Sequence, residues 1–242
     1  MTTESWFSRQ EAIFADYGWW DRHNLLYLIT EQRCNYIVSR IERIFGEGAL
    51  SQQEILEVGC GGGLLSEGLA RRGACMWGLD PNERALEQGR HHAQTQGLGG
   101  NIFFQAGSAE ALPYAAGSFS VIICLDVLEH VRDLNQTIRE IARVLAPGGL
   151  FIFDTINRTW LAQIALIWIG ERFFQKSGLV PGLHHYRSFI RPVELQTVLR
   201  QNELVSGEML GFMPRRDQGR WTLGTGWFKG VSYVGYATRA CD

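Results

Sequence analysis

Positive charge is not in excess in this chain: 23 Lys and Arg face 25 Asp and Glu over 242 residues, a formal net charge of −2. A dedicated nucleic-acid binder needs a basic surplus to release counterions from phosphates, so no nucleic-acid partner is expected and a small molecule is. Cysteine pairs are also missing. Cys34, Cys60, Cys75, Cys124 and Cys241 are odd in number and form no Cys-x-x-Cys, which argues against a disulfide frame or zinc knuckle and for reduced thiols in a cytoplasmic protein. No Gly-Lys-Ser/Thr follows a glycine-rich loop, so phosphate cradling of the P-loop kind has no support. The start, Met1-Thr2-Thr3-Glu4-Ser5, carries neither a basic n-region nor a long apolar run, and no signal peptide is expected. Internal repeats and low-complexity tracts are absent too.

Apolar residues are plentiful. At 45% hydrophobic and 12% aromatic, the chain can bury a full core, and its length suits one α/β domain with insertions. Eight tryptophans are present, and of these only Trp77 lies in the middle of the chain.

Between residues 52 and 156 short apolar runs alternate with helical patterns. Strands are expected at 54–58, 74–79, 102–105, 121–125 and 150–153. Helices are expected from Leu64 to the Gly73 stop, over 81–96 with Pro81 in the first turn, and over roughly 133–145. Pro147-Gly148-Gly149 is read as a break. The pattern predicts a doubly wound, mainly parallel sheet with helices on both faces. Around it lie an N-terminal helical cover (1–50), an apolar insertion after the fifth strand (157–190), and a C-terminal part of the sheet (191–242) with a helix near 192–201 and strands near 204–213 and 231–238.

Gly59-Cys60-Gly61-Gly62-Gly63-Leu64 sits at the first strand-to-helix junction, where glycines let the backbone turn tightly and approach a ligand. Leu64 stands where a dinucleotide fingerprint needs its third glycine. Asp80 follows 21 positions after Gly59 at the end of the second strand, where a carboxylate can accept from both ribose hydroxyls of an adenosine. The bland alternative is a tight turn with Asp80 capping the next helix. After the fourth strand, Asp126, Glu129 and His130 have i, i+3, i+4 spacing, which puts them on one face if that segment is helical. They read as a metal cluster, as loop architecture, or, for His130 with its ordinary pKa near 6.5, as a general base.

Glu57-Val58-Gly59-Cys60-Gly61-Gly62-Gly63, Gly78-Leu79-Asp80, Leu125-Asp126-Val127-Leu128-Glu129-His130-Val131 and Leu145-Ala146-Pro147-Gly148-Gly149 resemble the sequential motifs of class I S-adenosylmethionine-dependent methyltransferases. More narrowly, Trp19-Trp20-Asp21, Asn157-Arg158, Gly182-Leu183-His184 and Phe189-Ile190-Arg191-Pro192-Val193-Glu194-Leu195 resemble the ubiquinone-biosynthesis O-methyltransferase family. The resemblance runs from about residue 19 to 236. It implies a Rossmann-like fold and cofactor contacts from Arg33, Gly59, Gly61, Asp80 and Leu125, with Arg33 pairing with the methionine carboxylate. Ser108 and Ala109 fall in the segment facing the adenine, where many relatives carry an Asp in place of Ser108. It also implies Mg2+ as a companion of Asp126, Glu129 and His130, and His184 beside His130 as a catalytic histidine.

The activity so implied is O-methylation of a hydroxylated aromatic ring, a polyprenylated quinone precursor above all. A methyltransferase of another small apolar metabolite, a nicotinamide-dependent oxidoreductase and a non-catalytic nucleotide-binding module are the competing readings. The ten-residue run 160–169, apolar but for Gln163, falls far short of the ~20 that cross a bilayer. It reads as a buried lid, as a wall of the substrate site, or, with flanking cations through residue 176, as a peripheral contact with the inner face of a membrane.

Overall fold

The computed structural model describes residues 3–15, 17–217 and 220–241. The first two residues, on which the leader expectation partly rests, lie outside them. Helices α1 (Thr3–Ala15) and α2 (Leu25–Phe45) form the N-terminal cover. Asn24 caps α2 by accepting from the Leu26 N–H, and Ile29, Arg33, Cys34, Tyr36, Ile37 and Ile41 make its buried face. The residue that ends the helix, Gly46, has φ of +103°, a region that glycine enters at little cost.

Strands β1 (Glu54–Val58), β2 (Cys75–Asp80), β3 (Ile102–Ala106), β4 (Phe119–Cys124) and β5 (Leu145–Ile156) alternate with α3 (Leu64–Ala70), α4 (Glu83–Thr95) and α5 (Leu134–Val144). Then come α6 (Trp160–Ala162), a π-helical run Gln163–Gly170, α7 (Glu171–Phe173), α8 (Pro192–Gln201), β6 (Leu204–Asp217), β7 (Arg220–Gly226) and β8 (Ser232–Arg239). All eight strands join one sheet in the order β3-β2-β1-β4-β5-β8-β6-β7. β1 to β5 are parallel, and β8 runs antiparallel between β5 and β6.

Alternation along the buried strands sends side chains to two cores, as a sheet covered on both faces requires. Leu56, Ile122 and Phe151 pack with Ile138 and Ile141 of α5 and Leu195 and Leu199 of α8. On the other face Ile55, Val121 and Ile152 pack with Ile37 and Ile41 of α2 and Leu65 and Leu69 of α3. The expected doubly wound architecture is therefore present.

Three details differ from the sequence reading. Leu145 already pairs with Phe119, and the ladder resumes at Leu150 opposite Val121 after an irregularity, so Pro147-Gly148-Gly149 bulges within β5. Pro81 lies before α4, whose cap is Asn82 accepting from the Ala85 N–H. β7, which pairs Arg220 to Gly226 with β6, falls in a glycine-containing stretch whose apolar alternation stops after Trp221 and Leu223.

Candidate functional site: a crevice at the strand ends

The strand order reverses direction of growth between β1 and β4, and ligands of open α/β sheets bind outside the carboxyl ends at that switch point. The loop after β1 turns there. Gly59 and Gly61 have φ of +74° and +52°, and the Gly59 and Cys60 N–H groups donate to the Leu79 carbonyl at 2.7 and 3.0 Å. A Cβ on Gly59 would lie 2.2 Å from Val127 Cγ2, so glycine is what lets the loops after β1 and β4 meet. Gly61 is covered on its other side by the Trp19 indole.

Asp80 ends β2 with both oxygens engaged: Gly61 N–H donates to Oδ2 and Asn82 N–H to Oδ1, each at 2.8 Å. Burial raises its pKa, against the two backbone donors that lower it. Since Asn82 is the cap of α4, Asp80 is not spent on capping and keeps further lone pairs for a ligand. Leu125 and Ala109 line the same cavity, of about 390 Å³, within the usual size of a small-molecule site. Ser108 also lines it, but its hydroxyl is turned to the Glu110 carboxylate.

Arg33 reaches the other half of the crevice from α2. Its guanidinium is gripped by two carboxylates, with Nη1 2.6 Å from Asp126 Oδ2 and Nη2 2.7 Å from Asp154 Oδ2. Burial works against the charge on Arg33, and the two aspartates more than restore it. Asp126 has φ of +55°, and its N–H donates to Asp154 Oδ1 at 2.6 Å. Burial lifts Asp154 above the usual carboxylate range despite Arg33, whereas Arg33 overcomes burial at Asp126 and keeps it ionised. Asp154 escaped the sequence reading. Its signal was close to the one that marks Asp80, an acid directly after an apolar run, here Leu150-Phe151-Ile152-Phe153.

At the mouth stand the two histidines, ring centroids 5.8 Å apart. His130 is enclosed by α1: Trp6 stacks on it at 6.1 Å, Phe14 meets it edge-on at 5.7 Å, and Gln10 Nε2 lies 2.5 Å from its Nδ1. Burial above all, with His184 adding to it, pushes the His130 pKa down to about 3, so the ring is neutral at physiological pH. His184 is held by Glu171, a buried acid in the apolar insertion. Glu171 Oε1 accepts from the His184 N–H at 2.8 Å and lies 3.1 Å from its Nδ1, while Oε2 accepts from Gly182 N–H at 2.7 Å. Nδ1 is then the protonated ring nitrogen of His184. Neither Gln10 nor Glu171 was foreseen. Glu171 was recognisable as the sole acid in an apolar run, but Gln10 had no sequence signal.

The expected metal cluster is not assembled. Asp126 turns through a left-handed backbone and pairs with Arg33, so residues 126–130 do not form the helical turn that would align three donors. Glu129 is buried under the sheet end, where Oε2 accepts from the Thr155 hydroxyl at 2.7 Å, and burial, then Asp126 and Asp154, push its pKa up to about 8. A protonated Glu129, an Arg-bound Asp126 and a His130 facing α1 do not make a Mg2+ site, which wants ionised oxygen ligands. Among the described residues no group of three His, Cys, Asp or Glu could hold a metal.

Residues 56–153 match the methyltransferase domain family. With the doubly wound sheet, the glycine loop and the acid at the end of β2, this defines an S-adenosylmethionine-dependent methyltransferase. The chain is 39% identical over 190 residues to the ubiquinone biosynthesis O-methyltransferase of Coxiella burnetii (strain RSA 331 / Henzerling II), covering 76% of each chain. It is 36% identical over 204 residues to the protein of that name from Acinetobacter baumannii (strain AYE), covering 83% of this chain and 82% of that one. It belongs to the ubiquinone biosynthesis O-methyltransferase family. Among solved structures it shares its fold with a SAM-dependent methyltransferase from Thermotoga maritima, at TM-score 0.63, 19% identity and coverage of 95% and 99%. The fold is also that of magnesium protoporphyrin IX methyltransferase from Synechocystis PCC 6803 with bound SAH, at TM-score 0.61, 21% identity and coverage of 87% and 83%.

The residues present fit S-adenosylmethionine. Asp80 offers acceptor capacity beside apolar Leu79, Ala109 and Leu125, and the Arg33 Nε–H is buried with no hydrogen-bond partner, an unfilled donor on the residue expected to meet a carboxylate.

Proposed function

We propose that this methyltransferase O-methylates a hydroxylated aromatic ring carrying a prenyl tail, a precursor of the ubiquinone type, and that His130 is the base. When bound, S-adenosylmethionine supplies a methyl group activated by sulfonium. His130 would accept the proton that the acceptor hydroxyl gives up on methylation.

The chain's contribution is placement and proton acceptance. Asp80 would hold the ribose, Gly59, Gly61, Ser108, Ala109 and Leu125 would line the adenosyl group, and Arg33 would meet the carboxylate end. The observation that carries the reading is the His130 imidazole in the lining of a largely apolar crevice, since a phenol with pKa near 10 needs a base at neutral pH, and displacing the α1 groups that bury the ring would return its basicity toward the ordinary histidine range. Mass detection of methylated product from hydroxybenzenes with different prenyl tails tests it, and His130→Gln should lower kcat at least ~100-fold. A second reading makes His184 the base, favoured by the Glu171 carboxylate that fixes its Nδ1–H. His184→Gln with the larger kcat loss would choose it.

The same reading puts the enzyme in the cytoplasm, at the inner face of a membrane. No helix among the described residues is long and apolar enough to cross one. The insertion instead exposes Trp160, Trp168, Phe173 and Phe174, at 70, 62, 71 and 53%, beside Arg172 and Lys176, while Leu166 from the same segment lines the crevice. Aromatics with neighbouring cations suit an interfacial contact. Wild-type protein should sediment with anionic lipid vesicles, and a Trp168→Ser, Phe173→Ser variant that sediments equally well removes the insertion from the membrane reading.

A further inference from the structure

Gln10 is the polar residue of α1 that enters the site, and it is buried, at 4% exposure. Its Nε2 lies 2.9 Å from the Leu183 carbonyl and 2.5 Å from His130 Nδ1. A carbonyl oxygen can only accept, so the first contact fixes which end of the amide is nitrogen. The amide then has one N–H left, and it donates to His130 Nδ1. That nitrogen carries no proton, and the proton of the neutral ring resides on Nε2. Trp6 and Phe14, also on α1, hold the ring in this pose. With the cover in place the one basic lone pair of His130 is therefore filled by the enzyme itself.

A hydroxyl that is to lose its proton to His130 needs that same lone pair. We propose that the Gln10 amide is an internal stand-in for the methyl acceptor: it donates to His130 Nδ1 and to the Leu183 carbonyl until a hydroxylated acceptor displaces it and takes over the Nδ1 contact. This rests on the reading of His130 as the base. It makes Gln10 a competitor of the acceptor, which sets acceptor affinity without touching the reacting atoms. Withdrawal of the amide also leaves the Leu183 carbonyl open, so a second donor on the acceptor gains a partner there.

The consequence is unusual for a buried polar residue, because removing it should help. Gln10→Leu is apolar, ends one atom short of Nε2 and deletes both donors, and Gln10→Asn keeps polarity but is one methylene too short to reach Nδ1. One hydrogen bond no longer displaced corresponds to about a five- to tenfold lower KM for the acceptor in either variant, with kcat not reduced and the KM for S-adenosylmethionine unchanged. Nitrogen-15 spectra of histidine-labelled wild-type protein should show His130 as the Nε2–H tautomer. Adding catechol together with S-adenosylhomocysteine should leave Nδ1 unprotonated while the Gln10 side-chain N–H signals move to solvent-exposed positions.

If both variants lose kcat, or the acceptor KM rises, Gln10 positions His130 and the proposal is overturned. An Nδ1–H tautomer in the wild type would overturn it as well. His130→Gln with full kcat would instead sink the assignment of the base, a result that can be told apart because the tautomer and the Gln10 signals are read without turnover.

Discussion

Asp154 offers the sharpest test of how the crevice is built, because two substitutions of similar size remove different things. The side chain is buried, at 2% exposure, and does two jobs: Oδ2 accepts from Arg33 Nη2 at 2.7 Å and Oδ1 from the Asp126 N–H at 2.6 Å. Asp154→Leu leaves both donors unsatisfied. The charged one costs about 1.5–3 kcal/mol and the backbone one about 1–3 kcal/mol. Burying leucine in their place returns ~1 kcal/mol, for a net loss of about 1.5–5 kcal/mol. Asp154→Asn can turn its single oxygen to only one of the two donors, so one is lost and about 1–3 kcal/mol with it. Arg33 keeps Asp126 in both variants, so neither reaches the cost of a fully orphaned buried charge. Urea unfolding should therefore rank wild type above Asn above Leu at equal m-values, and titration calorimetry should show weaker S-adenosylmethionine binding in the same order. A leucine variant as stable as the asparagine one would refute the idea that Asp154 anchors the left-handed Asp126 backbone as well as Arg33.

Stability should also depend on pH through groups the crevice buries. Glu57 and Glu129 are both pushed up to about 8 by burial from 4.5, so the folded chain keeps protons that the unfolded chain has lost, and stability falls as pH rises through that interval. His130, pushed down from 6.5 to about 3, acts in the opposite sense only below 6.5, so between pH 6.5 and 8 Tm should fall, with a shallower slope in Glu129→Gln. Gly59→Ala puts a side chain at φ of +74° and 2.2 Å from Val127 Cγ2; αL strain of about 1–2 kcal/mol and overpacking of about 1–3 kcal/mol predict a Tm loss together with loss of cofactor binding, and an unchanged Tm would contradict the close approach of the two loops. EDTA should leave methyl transfer unaltered, because Asp126, Glu129 and His130 are committed to Arg33, Thr155 and Gln10; restoration of EDTA-lost activity by Mg2+ would reverse the conclusion on the metal.

The placement of Gly59, Gly61 and Asp80 together at the strand ends was legible in the sequence because its information is local. Gly59, Gly61 and Asp80 sit at junctions where a strand of period two gives way to a helix, and the ends of β1 and β2 lie side by side in the sheet. The insertion was legible as apolar but not as two-sided: whether Leu166 faces the crevice while Trp168 faces outward depends on the π-helical winding of Gln163–Gly170, which shifts the periodicity that a sequence reader counts. The metal reading failed for a related reason. Spacing of i, i+3, i+4 means a shared face only on a helix, and the left-handed turn at Asp126 takes the segment off the helical path.

What remained hidden is long-range. Arg33 meets Asp154 across 121 positions, and Gln10 meets His130 across 120. Each contact joins the N-terminal cover to a strand end through one polar group whose local sequence says nothing of its partner. Yet the cover explains the burial of His130 and hence its neutral state, while Arg33 explains why Asp126 stays charged among carboxyls that burial would otherwise protonate. Protonation at the strand ends is thus set by α1 and α2 rather than by the motif residues themselves. A chain with the same strand-end motifs but a different cover would present a different proton inventory to its acceptor, and so a different capacity to activate a hydroxyl.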